Sequence, residues 1–328
     1  MIVLLTGASG FVGQALLASL AVQPTLELIV VSRRPLSGLP AFISPARIAD
    51  LLADTSWQSV LSGVHVVIHA AARVHVMNDT VTDPLAEFRK INVDGTLNLA
   101  RQAAAAGVKR FIFISSIKVN GEGTAACERY YADARPAPID PYGISKMEAE
   151  QGLRTLVVET GMEVVIIRPV LVYGPRVKAN FLSMMRWLHK GVPLPFGAID
   201  NRRSLVALDN LVDLIVTCID HPAAANQTFL VSDGEDLSTT ELLRRMGVAL
   251  GKPTRLLPVP SRLLEVGAAM LGKQALAQRL CGSLQVDISK TRKLLNWTPP
   301  VTVDQALRKT AENFLQERSG NVGGAMKR

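Results

Sequence analysis

Hydrophobic positions along the chain fall into two kinds of stretch. Residues 2–5, 26–31, 64–70, 110–116, 162–168 and 228–232 are short runs dominated by Val, Ile, Leu and Phe. They have the length of a strand and are apolar enough to be covered on both faces. Residues 47–51 add a less apolar run, third in chain order, with Asp50 near its end. Helical spacing fills the gaps. It marks residues 14–20, a short helix capped by Asp54 or Thr55 and closed before Gly63, and a long one from Pro84 to Ala106 that stops at Gly107. Asn92 and Thr96 share one face of the long helix. Another helix opens at Pro141, whose fixed φ suits a first turn. Ser238-Thr-Thr-Glu241 is a capping box for a helix that Gly251 and Pro253 close. Strands alternating with helices predict an α/β chain on a doubly wound parallel sheet of about seven strands.

The junction between the first strand and first helix carries Gly7, Gly10 and Gly13. Gly7 permits a tight turn, Gly10 lets backbone approach a pyrophosphate, and Gly13 lets the helix pack against the strand. The helix N-terminus offers free N–H groups and partial positive charge to phosphates. A tight turn without ligand would use the same glycines. The second strand ends in Ser32-Arg33-Arg34, where an NAD-preferring fold places an acid for the ribose 2′-OH. Two arginines suit a 2′-phosphate, so NADPH is favoured over NADH, the alternative being two exposed loop arginines. The fourth strand ends in Ala70-Ala71-Ala72, small enough for a ligand to approach, and the fifth in the hydroxyls of Ser115 and Ser116. Ligands of open parallel sheets sit at that end.

Composition narrows the classes. The chain has 328 residues and a net charge of +8, enough length for a large core. Its basic residues are scattered in short pairs without aromatic interleaving, which argues against a nucleic-acid face. No uncharged run reaches a membrane span, and the N-terminus lacks a basic leader. Cys127, Cys218 and Cys281 are far apart and odd in number, which predicts reduced thiols in a cytoplasmic protein. No metal-ligand spacing appears; His65 and His69 read as ordinary sheet residues.

In Asp140-Pro141-Tyr142-Gly-Ile-Ser-Lys146, Tyr142 and Lys146 lie on one helical face. A phenol beside an ammonium is expected to have a lowered pKa, useful for general acid–base work near neutrality.

The chain here resembles the extended short-chain dehydrogenase/reductase family, in its nucleotide-sugar epimerase/dehydratase/reductase branch. The resemblance covers essentially the whole chain. It rests on Thr6-Gly7-Ala-Ser-Gly10-Phe-Val-Gly13, His69-Ala-Ala71, Asn92-Val-Asp-Gly-Thr96, Ser115-Ser116, Tyr142-Gly-Ile-Ser-Lys146 and Arg168-Pro169. It implies that Ser116 bonds the reacting oxygen, that Tyr142 donates or accepts the proton, and that Lys146 binds the nicotinamide ribose. Gly7, Gly10, Phe11, Val12, Gly13, Arg33, Arg34, Asp50, Leu51, Ala70, Ala71, Asn92 and Pro169 would line the NAD or NADP site. Asn180 would touch the substrate's nucleotide base and Arg203 its diphosphate, by bidentate pairing. The implied fold is a Rossmann domain (1–174, with 205–233 returning to it) and a smaller C-terminal α/β substrate-binding domain (175–204 and 234–320). Residues 175–204, rich in Pro, Gly and basic side chains, read as a substrate lid, and 321–328 as a disordered tail. A homodimer is expected through helix 84–106 and the helix opening at Pro141.

Within the branch, 4,6-dehydratases carry an Asp-Glu pair directly after the catalytic hydroxyl residue. Ile117-Lys118 stands there, which sets that reaction aside. Epimerases commonly read Val-Tyr-Gly where this chain has Val119-Asn120-Gly121. The stretches 71–77, 116–121 and 201–205 most resemble bacterial surface-polysaccharide reductases. The expectation is therefore NAD(P)H-dependent reduction of a UDP-4-keto-6-deoxy-N-acetylhexosamine to UDP-N-acetylfucosamine or UDP-N-acetylquinovosamine, in O-antigen (lipopolysaccharide) biosynthesis. The alternative is an NAD-dependent UDP-sugar 4-epimerase. The intact Ser116/Tyr142/Lys146 set speaks against a non-catalytic binder.

Overall fold

Apolar runs from both halves of the chain line up in one sheet. The computed structural model describes residues 1–36, 38–74, 82–272 and 274–325. Its strands are β1 (Ile2–Thr6), β2 (Glu27–Ser32), β3 (Ile43–Arg47), β4 (Val66–His69), β5 (Arg110–Ile114), β6 (Glu163–Pro169), β7 (Leu171–Tyr173), β8 (Arg203–Ala207), β9 (Thr228–Val231) and β10 (Asp236–Leu237). Seven form a parallel sheet in the order β3-β2-β1-β4-β5-β6-β9, a Rossmann arrangement whose direction of winding reverses between β1 and β4. The crevice at that reversal, beyond the C-terminal strand ends, is where such sheets hold ligands.

Alternation along each strand sorts its side chains between two helical layers. The helices are α1 (Phe11–Leu20), α2 (Gln58–Leu61), α3 (Pro84–Arg89), α4 (Thr96–Ala105), α5 (Pro141–Thr160), α6 (Ala179–His189), α7 (Leu208–Thr217), α8 (Thr239–Ala249), α9 (Ser261–Met270), α10 (Gln274–Cys281), α11 (Ser289–Leu295) and α12 (Val303–Ala325). Val3 and Leu5 pack with Leu16 of α1 and with Leu211 and Leu214 of α7. Leu4, between them, faces Leu99 of α4 and Leu153 of α5 in the other layer. A third cluster joins Tyr173 of β7 to α6, α8 and α12, beside a small sheet ordered β10-β8-β7. Asp233 ties the sheets together: it accepts from the Tyr173 hydroxyl (2.9 Å), the Ala207 amide (2.7 Å) and the Asn210 side chain (2.7 Å).

Four expectations shift. The third strand occupies Ile43–Arg47, so Asp50 follows it in a loop. It is a largely exposed edge strand that tolerates Pro45, which is why it carries so little apolar signal. The short helix starts after Trp57. Thr55 instead closes a turn, accepting from Leu52 N (3.0 Å) and donating to Asp50 O (3.0 Å). The 175–204 stretch contains α6, whose Phe181, Met184, Met185 and Leu188 are buried in the third cluster; that stretch therefore holds a core element as well as loops. Finally, α12 runs to Ala325, past the point where composition suggests disorder, and 326–328 lie outside the described residues.

The long helix of 84–106 is present with one change. A π turn, Lys90–Gly95, separates α3 from α4. Asp83 caps its start by accepting from Ala86 N at 3.0 Å.

The packing of α1 on β1 generates a stability test. A Cβ at Gly13 would lie 2.0 Å from the Gly7 carbonyl oxygen and 2.6 Å from its carbon, backbone atoms that no rotamer change can move. Gly13→Ala is expected to lower the unfolding free energy by about 1–3 kcal/mol or more, read as a lower urea midpoint.

Candidate active site

The site begins where β1 stops. Gly7 has φ +77°, and a Cβ there would lie 2.5 Å from the Ala71 amide nitrogen. The missing side chain is what allows the ends of β1 and β4 to close up. Gly10 N donates to Gly7 O and Gln14 N to Gly10 O, both at 2.9 Å. The amides of Phe11, Val12 and Gly13 therefore precede the helical ladder, facing outward from the helix start. No side chain caps that start. Bare amides, a helix dipole and an open floor at the winding reversal fit the diphosphate of a dinucleotide.

Behind the turn the polar groups are closed off. His69 Nδ1 is 2.8 Å from Thr6 Oγ1 and Nε2 is 3.0 Å from Thr96 Oγ1. Burial, then the Lys146 charge, pull its pKa down to about 3, so it serves as a neutral bridge from β1 to the start of α4. Asn92 is also buried. Its Oδ1 accepts from Arg73 N at 2.8 Å, and its Nδ2 donates to Arg73 O and to Ser145 Oγ, both at 3.0 Å. It thus pins the chain leaving β4 against α5. Residues 75–77 of the 71–77 stretch lie outside the described residues.

At the end of β2, Arg33 Nη1 sits 3.6 Å from Asp50 Oδ1, with both side chains well exposed. Asp50 also accepts from the Leu51 amide at 2.8 Å. Leu51 is held from behind, because a Cβ at Gly95 would come within 2.4 Å of its carbonyl oxygen. The Ser32 hydroxyl donates to Arg34 O at 2.6 Å, which turns the chain.

Ser116 stands just beyond β5, and Tyr142 and Lys146 lie on the first turns of α5. The Ser116 hydroxyl lies close enough to the Tyr142 phenol to favour its ionised form, so the two groups implied to act on one oxygen are neighbours. The phenol departs from expectation. Burial and the Asp140 charge push its pKa up to about 12, against the lowering by Ser116. Burial also brings the pKa of Lys146 down, to about 7. Its ammonium nitrogen lies 3.9 Å from the centroid of the Phe113 ring.

Two supporting pairs escape sequence reasoning. Asp140 caps α5, accepting from Gly143 N at 2.7 Å, and its other oxygen takes a hydrogen bond from Lys118 Nζ. Lys118 donates its backbone amide to Ser116 Oγ at 3.3 Å. One lysine thus joins the Ser116 turn to the Tyr142 helix. Deeper in, Glu150 accepts from Arg168 Nε (2.9 Å), Arg168 Nη2 (2.5 Å) and Ser115 Oγ (2.6 Å). Arg168 Nη1 donates to Asn120 Oδ1 at 2.9 Å. The available signal was Glu150 four residues beyond Lys146, on the same helical face.

The remaining expected residues are dispersed. Pro169 closes β6 at the ligand end of the sheet. Asn180 is exposed near the start of α6. Arg203 opens β8 half-buried and donates to Gly282 O at 2.9 Å.

Residues 3–232 match the NAD dependent epimerase/dehydratase family. The chain is 50% identical over 315 residues to a UDP-glucose 4-epimerase from Vibrio cholerae, covering 96% of this chain and 95% of that protein. Among solved structures, a UDP-glucuronic acid 4-epimerase from Bacillus cereus in complex with NAD superposes with a TM-score of 0.78 at 20% identity, over 97% of this chain and 99% of that one. RMD from Pseudomonas aeruginosa, complexed with NADPH, gives 0.73 at 23% identity over 96% and 99%. At these identities the structures speak to the fold.

Two expectations follow from the buried charges. Glu150→Ala strands the Arg168 guanidinium and is expected to cost about 3–5 kcal/mol; adding Arg168→Met should recover part of that loss in denaturant titrations. Lys146 holds its proton less tightly folded than unfolded, where it titrates near 10.5. Its contribution to stability is therefore complete above pH 10.5 and is lost as pH falls towards about 7. Lys146→Met should raise nucleotide-free stability at neutral pH and flatten that rise, as urea titrations at several pH values would show.

Proposed function

Because the chain belongs to the NAD dependent epimerase/dehydratase family, we propose that it is a nucleotide-sugar 4-epimerase acting on a UDP-hexose with tightly held NAD. The observation that carries this reading is the placing of Ser116 beside Tyr142 at the ligand end of the sheet, with Lys146 one helical turn behind it. Two hydroxyls converging on one point suit a carbinol oxygen that must lose and regain a proton. The 50% identity to a protein named UDP-glucose 4-epimerase supports inversion as the outcome.

NAD, when bound in the glycine cradle, supplies a hydride acceptor that becomes a donor. Phe11, Val12 and Gly13 amides would hold its diphosphate. Tyr142 takes the proton from the sugar C4 hydroxyl and returns it after the keto intermediate has turned over. Ser116 holds the C4 oxygen throughout, a bond that strengthens as negative charge develops there. A positive charge on Lys146 would lower the energy of the phenolate. Arg203 would pair with the UDP diphosphate and Asn180 with its base. A homodimer through α3–α4 and α5 belongs to the same reading.

Asn120 does not oppose it. Both ends of its amide are engaged inside the fold, with Arg168 and with Tyr131 O (3.1 Å), so replacing the usual tyrosine changes the support of the site.

A second reading, reduction of a UDP-4-keto-6-deoxy-N-acetylhexosamine, is favoured by the absence of an acid after β2. Arg33 and Arg34 would then prefer NADPH. One assay separates the two. With no cofactor added, an epimerase interconverts UDP-glucose and UDP-galactose, or their N-acetyl forms. The reductase instead consumes NADPH stoichiometrically when given the keto-sugar. In either case Tyr142→Phe should lower kcat about 10²–10⁴-fold with the fold intact.

A further inference from the structure

We propose that the outer face of α9 docks this protein on an anionic phospholipid surface. No residue of this ten-residue helix is buried. Its exposed large side chains are Leu263 (63%), Val266 (59%) and Met270 (84%), followed by Leu271 (73%). At about 100° per residue, Leu263, Val266 and Met270 fall within one third of the helix circumference. Arg262 and Ala269 flank them on one side, and the half-buried Leu264 and Ala268 lie opposite. The helix therefore leans on the protein by its small or half-covered face and presents its large apolar one outward.

Charge identifies the occupant. Among the described residues of 252–281, the exposed charged side chains are Lys252, Arg255, Arg262 and Arg279 against Glu265 alone. An exposed apolar stripe flanked by Arg262, in a segment whose charged side chains are mostly cations, is the composition that lies in a bilayer interface, apolar side chains in the acyl boundary and cations among anionic headgroups. A second copy fits less well. Four side chains fall far short of the roughly 800 Å² per partner of a standard interface.

The test floats the full-length protein with phosphatidylcholine vesicles prepared with and without phosphatidylglycerol. The expected result is flotation with the anionic vesicles, weakened by salt. Val266→Glu with Met270→Glu should reduce binding at least about tenfold while leaving the thermal midpoint and the cofactor-dependent activity unchanged. Met270→Trp should show a blue-shifted emission on adding anionic vesicles. The proposal is overturned if the wild type stays in solution, if the double variant floats as well as the wild type, or if the substitutions dissociate a dimer without altering vesicle binding. None of these readouts depends on which sugar reaction the enzyme performs.

Discussion

Glu150 and Arg168 meet in a part of the molecule that excludes water, and four chain segments depend on their meeting. The glutamate comes from α5, the arginine from β6, and Ser115 and Asn120 attach the end of β5 and the turn after it. Desolvation offsets most of the attraction in such a pair, so it adds little net stability over apolar packing. What it fixes is position. Ser116 follows Ser115 directly, and Tyr142 lies two helical turns before Glu150, so both hydroxyls inherit their placement from this pair. Lys118 and Asp140 make a second fastening nearer the surface, between the same two elements.

The groups to which the proposed chemistry is assigned are held by the fold in uncomfortable protonation states. Lys146 is buried against the Phe113 ring, and Tyr142 is held well above its ordinary titration range. Neither arrangement favours folding, and the Lys146 charge adds to the burial that keeps His69 neutral. A site of this kind draws its stability from elsewhere in the chain, here from the two helical layers packed on the sheet.

Much of this was legible in the residues. Long apolar runs announced six strands, because strands covered on both faces have no polar positions to blur the pattern. The glycine turn and the Tyr142/Lys146 spacing were legible because they are local. Edge strand β3 was misplaced because half-solvated strands lose that signal, and α6 was missed because its Phe181–Met184–Met185–Leu188 face sits among prolines and lysines. The Lys118–Asp140 and Glu150–Arg168 pairs join residues 22 and 18 apart in the chain. Spacing rules do not reach contacts that exist only once β5, α5 and β6 are assembled. The expected lowering of the Tyr142 pKa is reversed for a related reason: the adjacency of Lys146 can be read in sequence, but the burial of the phenol itself and the Asp140 charge beside it cannot.

The π turn at Lys90–Gly95 has a consequence for how the site tolerates change. Its wider hydrogen-bonded rings, closed over five residues instead of four, offset the faces of α3 and α4 from a single helical phase. Within the turn Asn92 reaches Ser145 and Gly95 lies close against Leu51, while just beyond it Thr96 reaches His69. Removing one residue from the turn would restore a uniform helix and rotate one set of contacts by about 100° relative to the other. Chain length is therefore itself an encoded quantity in this segment: it can absorb many exchanges of side chain, but not the loss of a single position.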